Sequence, residues 1–353
     1  MRKVRPQLFA LTFLISTAAL SQKEEETAAK KISFEGSVDT YFRQNLDGKN
    51  GDGAIAPNTS FANLNGFALG MANVIASYKG NNVGFVADLV FGPRGEDATF
   101  QSSFLRPNGS SNIINQLYVY WNVSDKVTLT LGNFNTFLGY EVISPVNNFN
   151  YSTSYMFSYG PFSHTGIKAD ITLSKNWSAM LALMNNTDQT EFNTDNNYTL
   201  GAQLAYKNTF LNFLLGKQGS NTNTTFQVDV TTGHQISTNF YLGLNATYND
   251  TGEATFYGAA LYPQLKTSKS FTLGLRTEYF GETNTGAGAI GAYDTNGDAN
   301  VFDFTLTGSY QIDNLTIKPE IRLDTTSEKT FINNSEEATK SLSSFVIAAI
   351  YKF

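Results

Sequence analysis

The chain of 353 residues contains no cysteine, only two histidines and only eight prolines. Without cysteine it has neither disulfides nor a lipoprotein anchor, so an exported protein of this composition depends on packing and hydrogen bonding for stability. Charged residues make up 15% of the chain, and its mean hydropathy is −0.22. After the N-terminal segment, no apolar run reaches the ~18 residues typical of a membrane-spanning helix.

The first 21 residues predict a secretory signal peptide. A positive segment with Arg2, Lys3 and Arg5 precedes an apolar stretch at 8–20, and Ala19 and Ser21 suit cleavage. The apolar stretch is shorter than the ~20 residues of a spanning helix. Residues 22–31 are charged and short, and we expect a periplasmic lead-in. Residues 32–353 then form one domain.

Alternation of apolar and polar residues dominates that domain. Between Ile32 and Arg43, apolar residues such as Phe34 and Phe42 alternate with polar residues such as Asp39. Because neighbouring side chains of a strand point to opposite faces, this pattern gives one apolar and one polar surface. Aromatics are abundant, with 28 Phe and 18 Tyr. A transmembrane β-barrel combines these features at low mean hydropathy, because its strands alternate between lipid and lumen.

The pattern predicts an all-β fold, an antiparallel outer-membrane barrel of about sixteen strands. The predicted strands start near residues 32, 66, 82, 113, 126, 164, 177, 198, 210, 226, 239, 255, 270, 300, 314 and 342. Seven short turns alternate with eight long loops. Bacterial barrels have even strand numbers, short periplasmic turns and long external loops. We therefore expect a bacterial outer-membrane location with both termini in the periplasm.

The third long connection, residues 136–163, is the most unusual segment. It is rich in Asn, Ser, Tyr, Phe and Gly, and Glu141 is the one formally charged residue between Phe134 and Ser163. Structureless loops of this length are usually functional or disordered, and disordered segments are poor in aromatics. We predict that this loop folds into the lumen and narrows it.

Many charged residues fall on the predicted inward face, which fits a water-filled lumen because a dry core could not hold so many charges. They can also set a field that selects ions. On the alternation alone, exchanging inward Arg276 for leucine should be tolerated in folding. The predicted constriction and lumen residues are Tyr140, Glu141, Lys168, Asp170, Arg276, Glu278, Lys318, Glu320 and Arg322.

Two other motifs suggest chemistry. His164 beside Ser163, or His234, would be the candidate of an outer-membrane hydrolase, but adjacent strand residues face opposite sides and no GxSxG is present. Oxygen-bearing side chains alternate from Asp294 to Asn300 in a way that suits calcium, although the glycine is misplaced and no Glu closes the loop. We expect no catalytic residue, no cofactor and no metal, and a solvated external loop at Asp294.

The block from Asn115 to Thr187 resembles the β-barrel porin-2 (OmpL-like) family of Bacteroidetes-type outer membranes. The residues most similar to the family are Gly-Tyr-Glu at 139–141, Asn147 to Tyr151, and Pro161 to Gly166. The resemblance covers the barrel, more weakly after residue 190, and implies a porin-like channel. It brings no catalytic residues.

Together these observations predict a channel for passive diffusion of small hydrophilic solutes or ions. The alternatives are a structural or assembly barrel with a plugged lumen and, less favoured, the hydrolase. Expected partners are outer-membrane lipids, small hydrophilic solutes and the assembly machinery, which would read the terminal strand ending in Phe353. A homo-oligomer is compatible with this prediction. No nucleic acid is expected.

Overall fold

A computed structural model describes residues 32–100, 102, 110–218 and 223–353. The predicted signal peptide and lead-in, residues 1–31, lie outside the described residues. Within the described part of the chain, no helix is both long and apolar enough to cross a membrane.

Sixteen strands close into an antiparallel barrel. Fifteen follow one another from the N-terminal side, and the last strand of the chain completes the ring between the first and the fifteenth. The barrel strands are β1 Ser33–Asn45, β2 Gly66–Lys79, β3 Val83–Phe91, β4 Ile114–Ser124, β5 Val127–Asn135, β6 Ser163–Thr172, β7 Trp177–Met184, β8 Thr199–Tyr206, β9 Thr209–Lys217, β10 Thr224–Gln235, β11 Phe240–Asp250, β12 Thr255–Lys266, β13 Phe271–Thr283, β14 Ala299–Ile312, β15 Leu315–Thr326 and β18 Ser341–Lys352.

The predicted fold class is confirmed, with every barrel strand starting within two residues of its predicted position. The agreement arises because a period of two is a local property of the chain, and because polar turn residues mark its interruptions. The turn between β8 and β9, for example, places Lys207 in the left-handed region at φ 54°. The turn between β14 and β15 does the same with Asp313 at φ 50°.

Closure joins the two ends of the described chain. β1 pairs with β18 from Ser37 opposite Lys352 to Asn45 opposite Ser344. The N–H of Gly36 donates to the carbonyl of Phe353 at 3.1 Å, and the N–H of Phe353 donates back at 3.0 Å. The ring therefore has no open edge, so the strands' backbone groups are satisfied between neighbours without water.

The two faces of the wall differ as the alternation predicts. On β13 and β14, Leu273, Phe302 and Phe304 point outward and are exposed, whereas Arg276 and Asp303 between them point inward and are fully buried. An apolar outer face suits contact with lipid chains. The interior is polar and charged, yet much of it is not exposed to water.

Short elements within the long loops were not predicted. Helix α1 Pro93–Ala98 and a 3-10 helix Ser110–Ile113 lie between β3 and β4, and helix α2 Tyr155–Tyr159 lies between β5 and β6. A two-stranded hairpin, β16 Phe331–Ile332 with β17 Ala338–Thr339, stands in the loop before β18. Each of these elements consists of only one or two helical turns or strand residue pairs, which is too few for a sequence period to appear.

Candidate functional site

The site is built around the connection between β5 and β6, residues 136–162, which we call loop 3. Its contacts reach strands all around the ring. The N–H of Gly139 donates to Asp229 of β10 at 3.0 Å, and the hydroxyl of Tyr151 donates to Asp39 of β1 at 2.6 Å. Glu141 of the loop also reaches Arg276 of β13, and β13 lies across the ring from β5. A loop that touches inward side chains on opposite sides of the ring passes through the interior.

An ionic network fixes the loop to the far wall. Arg276 of β13 pairs with Glu141 of loop 3 at 2.8 Å and with Asp303 of β14 at 2.7 Å. Arg322 of β15 pairs with Asp324 at 2.8 Å and approaches Asp303 at 3.6 Å. These side chains are at most 3% exposed. At such burial, charges are tolerated only when paired and hydrogen-bonded.

The same two arginines also hold the loop backbone. Arg276 donates to the carbonyl of Ser152 at 2.7 Å, and Arg322 donates to the carbonyl of Thr153 at 2.8 Å. Lys318 of β15 adds a bond to the carbonyl of Asn148. Cationic side chains of the wall thus satisfy carbonyls of an irregular segment that has no ladder partners of its own.

Wall carboxylates satisfy the loop's N–H groups in the same manner. Glu320 accepts from the N–H of Tyr151 at 2.8 Å and of Ser152 at 3.1 Å. Glu278 accepts from the N–H groups of Tyr155 and Met156, both at 2.8 Å. The latter bonds lie at the start of α2, whose first N–H groups have no partner within the helix. These N–H groups of loop 3 are therefore paired with side chains of the barrel wall.

Aromatic rings of loop 3 sit against inward-facing glycines. A Cβ placed on Gly274 of β13 would lie 2.2 Å from the Phe149 ring, and one on Gly243 of β11 would lie 2.4 Å from the Tyr140 hydroxyl. Tyr140 also stacks on Tyr262 with ring centroids 4.2 Å apart. The absent side chains create depressions in the wall, so these rings can approach the strand backbone closely.

The first two long loops pack on loop 3 from the other side. Arg94 of α1 donates to the carbonyls of Ile143 and Tyr151 at 2.8 and 3.2 Å. Its guanidinium lies 4.4 Å from the centre of the Phe61 ring, which belongs to the connection after β1. Phe61 packs in turn with Phe157 of α2. Loop 3 thus contacts the barrel wall and is also packed against residues of the first two long loops.

The predicted site residues separate into two groups. Where loop 3 meets the barrel wall, the structure brings together Tyr140 and Glu141 of the loop with the wall residues Arg276, Glu278, Lys318, Glu320 and Arg322. Lys168 and Asp170 lie apart from them on β6, paired at 2.7 Å, with side chains 11% and 28% exposed. The sequence-based prediction treated all nine as one set of constriction and lumen residues, because alternation gives the face of a strand residue but not what covers it.

Two important residues were missed. Asp303 links the two arginines, and its place between Phe302 and Phe304 in β14 was a signal that it faces inward. Arg94 belongs to α1, in a loop where no alternation exists to assign a direction. Its role depends on contacts with residues 49 and 57 positions away in sequence.

The structure also places the two histidines and Asp294 among neighbouring residues of the fold. The Nε2 atom of buried His164 lies 3.0 Å from the Thr136 hydroxyl, and that of His234 lies 2.8 Å from the Thr232 hydroxyl. Neither contact provides the acidic partner of a hydrolytic triad. The Asp294 carboxylate accepts from two backbone N–H groups of its own turn, at 2.8 and 2.9 Å. These bonds lower the pKa of Asp294 and occupy one of its oxygens.

A closed barrel that is apolar outside and charged inside is the architecture of an outer-membrane channel of the porin class. Residues 31–353 match the family described as "putative beta-barrel porin-2, OmpL-like", and the chain belongs to that family. It is accordingly a porin-like channel of the outer membrane. No curated protein matches the chain significantly.

Solved structures with the same fold include the outer-membrane channel DcaP of Acinetobacter baumannii. It has a TM-score of 0.59 and 13% identity, with 94% of this chain and 99% of that one covered. OmpT, an outer-membrane protein of Vibrio cholerae, in its trimer form has a TM-score of 0.53 and 14% identity, with 92% and 100% covered. At these identities the likeness concerns the fold alone.

Proposed function

We propose that the protein lets small hydrophilic solutes or ions diffuse passively across a bacterial outer membrane, through a barrel that loop 3 narrows. The observation that supports this most directly is the route of loop 3 across the interior to Arg276 on the far wall. A charged interior with a fixed constriction can filter solutes by size and charge. The proposal includes no catalysis, cofactor or metal.

A second candidate is a barrel whose lumen is plugged and whose role is structural. The packing of Phe61 and Arg94 onto loop 3 favours it, because that packing adds to the material inside the barrel. The two candidates differ in one property, the current carried by the folded wild-type barrel.

Deleting residues 146–154 tests both candidates. The deletion removes the segment that Glu320 and Lys318 hold, so we expect a larger single-channel conductance in planar bilayers. Folding is checked by the shift of gel mobility on heating. A matched control shortens the exposed turn of the β16–β17 hairpin, at 334–336, and should leave conductance unchanged.

Each outcome of the deletion has a definite meaning. A conducting wild type with a larger conductance after deletion supports the narrowed channel. A silent wild type that conducts only after deletion supports the plugged barrel. If a folded deletion variant conducts no better than the wild type, loop 3 lies outside the path of the ions.

The orientation in the membrane is also part of the proposal, with both termini in the periplasm. The cysteine-free chain allows clean thiol labelling on whole cells. Single cysteines at Asn193 and Ser335, in long loops, should react with an impermeant reagent. Cysteines at exposed Asn208 and Ser237, in short turns, should react only after the outer membrane is broken. The reverse labelling pattern would mean that the barrel has the opposite orientation in the membrane.

Assembly and oligomerisation complete the proposal. The terminal strand β18, which ends beside Phe353, is the candidate signal for the outer-membrane assembly machinery. The trimer form of OmpT is a precedent for a homo-oligomer of this fold. Crosslinking in native membranes would give the number of chains in the oligomer. It would be done for the wild type and for a variant with a substitution on the outward face of the barrel.

A further inference from the structure

The interior of the barrel is not covered evenly. On the wall formed by β13 and β14, which loop 3 contacts, Arg276, Asp303 and Thr305 are 0% exposed. On the wall formed by β4, β5 and β6, several inward-facing side chains remain partly accessible to water, although others such as Thr130 and His164 are buried. This accessible patch comprises Tyr118, Tyr120, Thr128, Lys168 and Asp170.

The strand register places the members of the patch around Thr130, an inward residue of β5 that is itself only 4% exposed. Asp170 stands opposite Thr128, and Lys168 stands opposite Thr130. Thr130 is in turn opposite Tyr120 on the next strand. All of these residues belong to the inward set of their strands, since outward neighbours such as Leu131 and Ile167 are exposed and apolar. Hydroxyls, phenols and one ion pair therefore share a single surface inside the barrel.

The ion pair of the patch differs from the other ion pairs of the described inner wall. Lys168 and Asp170 lie two residues apart on β6, on the same face, with Nζ and Oδ2 separated by 2.7 Å. Their side chains keep 11% and 28% exposure, whereas the pairs of Arg276 and Arg322 keep at most 3%. A charge that water reaches can act on a passing ion, while a charge sealed by paired neighbours is largely cancelled.

We propose that the permeation path runs along this patch, off the axis of the barrel, and that the Lys168–Asp170 pair sets its charge selectivity. The inference rests on the proposed function as a diffusion channel. The buried network of Arg276 then anchors loop 3 and contributes little to selectivity. Because the pair carries one charge of each sign, the wild-type path admits small ions of both signs and uncharged polar solutes.

Opposite single neutralisations test this pairing. In planar bilayers under a KCl gradient, Asp170→Asn removes the negative charge of the pair and should shift the reversal potential toward anion selectivity. Lys168→Gln should shift it toward cations. A control at the exposed external pair, Lys49→Gln, removes a cation that lies 3.3 Å from Glu336 outside the barrel wall. It should change the reversal potential much less than either substitution on β6.

Thiol block provides a second readout that does not depend on charge. In the cysteine-free chain, Thr128→Cys should react with a small thiol reagent in the open channel and reduce its current. Thr305→Cys, on the sealed wall, should not react. Two results in a conducting barrel would overturn this inference but not the proposed function. In the first, neither neutralisation moves the reversal potential. In the second, the thiol reagent reduces the current of Thr305→Cys but not that of Thr128→Cys. A folded wild type that carries no current would overturn the proposed function as well.

Discussion

Replacing Arg276 by leucine is expected to release loop 3 from the barrel wall. The guanidinium is 0% exposed. It donates to Glu141 and Asp303 at 2.8 and 2.7 Å and to the Ser152 carbonyl at 2.7 Å. Removing one partner of a buried ion pair typically costs about 3–5 kcal/mol, because the other charge stays buried and uncompensated. Here Glu141 loses its cationic partner and keeps the N–H of Ser154. Asp303 keeps the Thr305 hydroxyl and, as a cation, the more distant Arg322.

Chymotrypsin measures the release, since loop 3 contains Phe and Tyr but neither Lys nor Arg. If cleavage follows the population of the released loop, a cost of about 3 kcal/mol raises the rate roughly 100-fold, because about 1.4 kcal/mol is tenfold. Arg276→Lys keeps the charge but loses the planar guanidinium, so its cleavage rate should lie between those of the wild type and Arg276→Leu. The outward control Leu273→Val should leave the rate unchanged. Equal cleavage of Arg276→Leu and wild type would refute the anchoring role.

This expectation corrects the one drawn from alternation alone. An inward arginine on a water-filled wall would be solvated, and its loss would matter little for folding. The structure covers Arg276 with loop 3, so its loss leaves the buried carboxylate of Glu141 without its counter-charge. The difference is one of solvation, which the sequence period does not encode.

Filling the depression at Gly274 is expected to displace loop 3 by crowding instead of by charge. A Cβ at this position would lie 2.2 Å from Phe149, far inside a normal contact. Overpacking typically costs about 1–3 kcal/mol. Valine suits a β-strand better than glycine does, so Gly274→Val should leave the barrel intact while the loop moves. We expect larger or more variable single-channel conductance than in the wild type.

A size exchange separates crowding from general damage. Phe149→Ala alone removes the ring without obstructing the wall. Combined with Gly274→Val, it should return the conductance to that of Phe149→Ala alone. If the double variant keeps the full effect of Gly274→Val, the contact between Gly274 and Phe149 does not seat the loop. An unchanged conductance in Gly274→Val would lead to the same conclusion.

The sequence by itself determined the barrel. Alternation from Ile32 onward fixed which side chains face lipid, and the lengths of the connections fixed the number of strands and the order of turns and loops. These properties are local, because a strand's period and a turn's residues act over a few positions. The unusual composition of loop 3 was also visible, with Glu141 as its one charge.

Tertiary structure decided which charges are sealed and which remain accessible. Glu141 and Arg276 are 135 positions apart in sequence and meet at 2.8 Å, whereas Lys168 and Asp170 share the same inward face and stay partly exposed. Alternation assigns Arg276, Lys168 and Asp170 to the interior but cannot rank them, and it assigns no direction to Glu141, which lies in a connection between strands. The ranking depends on where loop 3 docks, and docking depends on glycine depressions and paired charges of strands across the ring from its own. Such contacts form only once the barrel has closed, because closure is what brings those strands face to face.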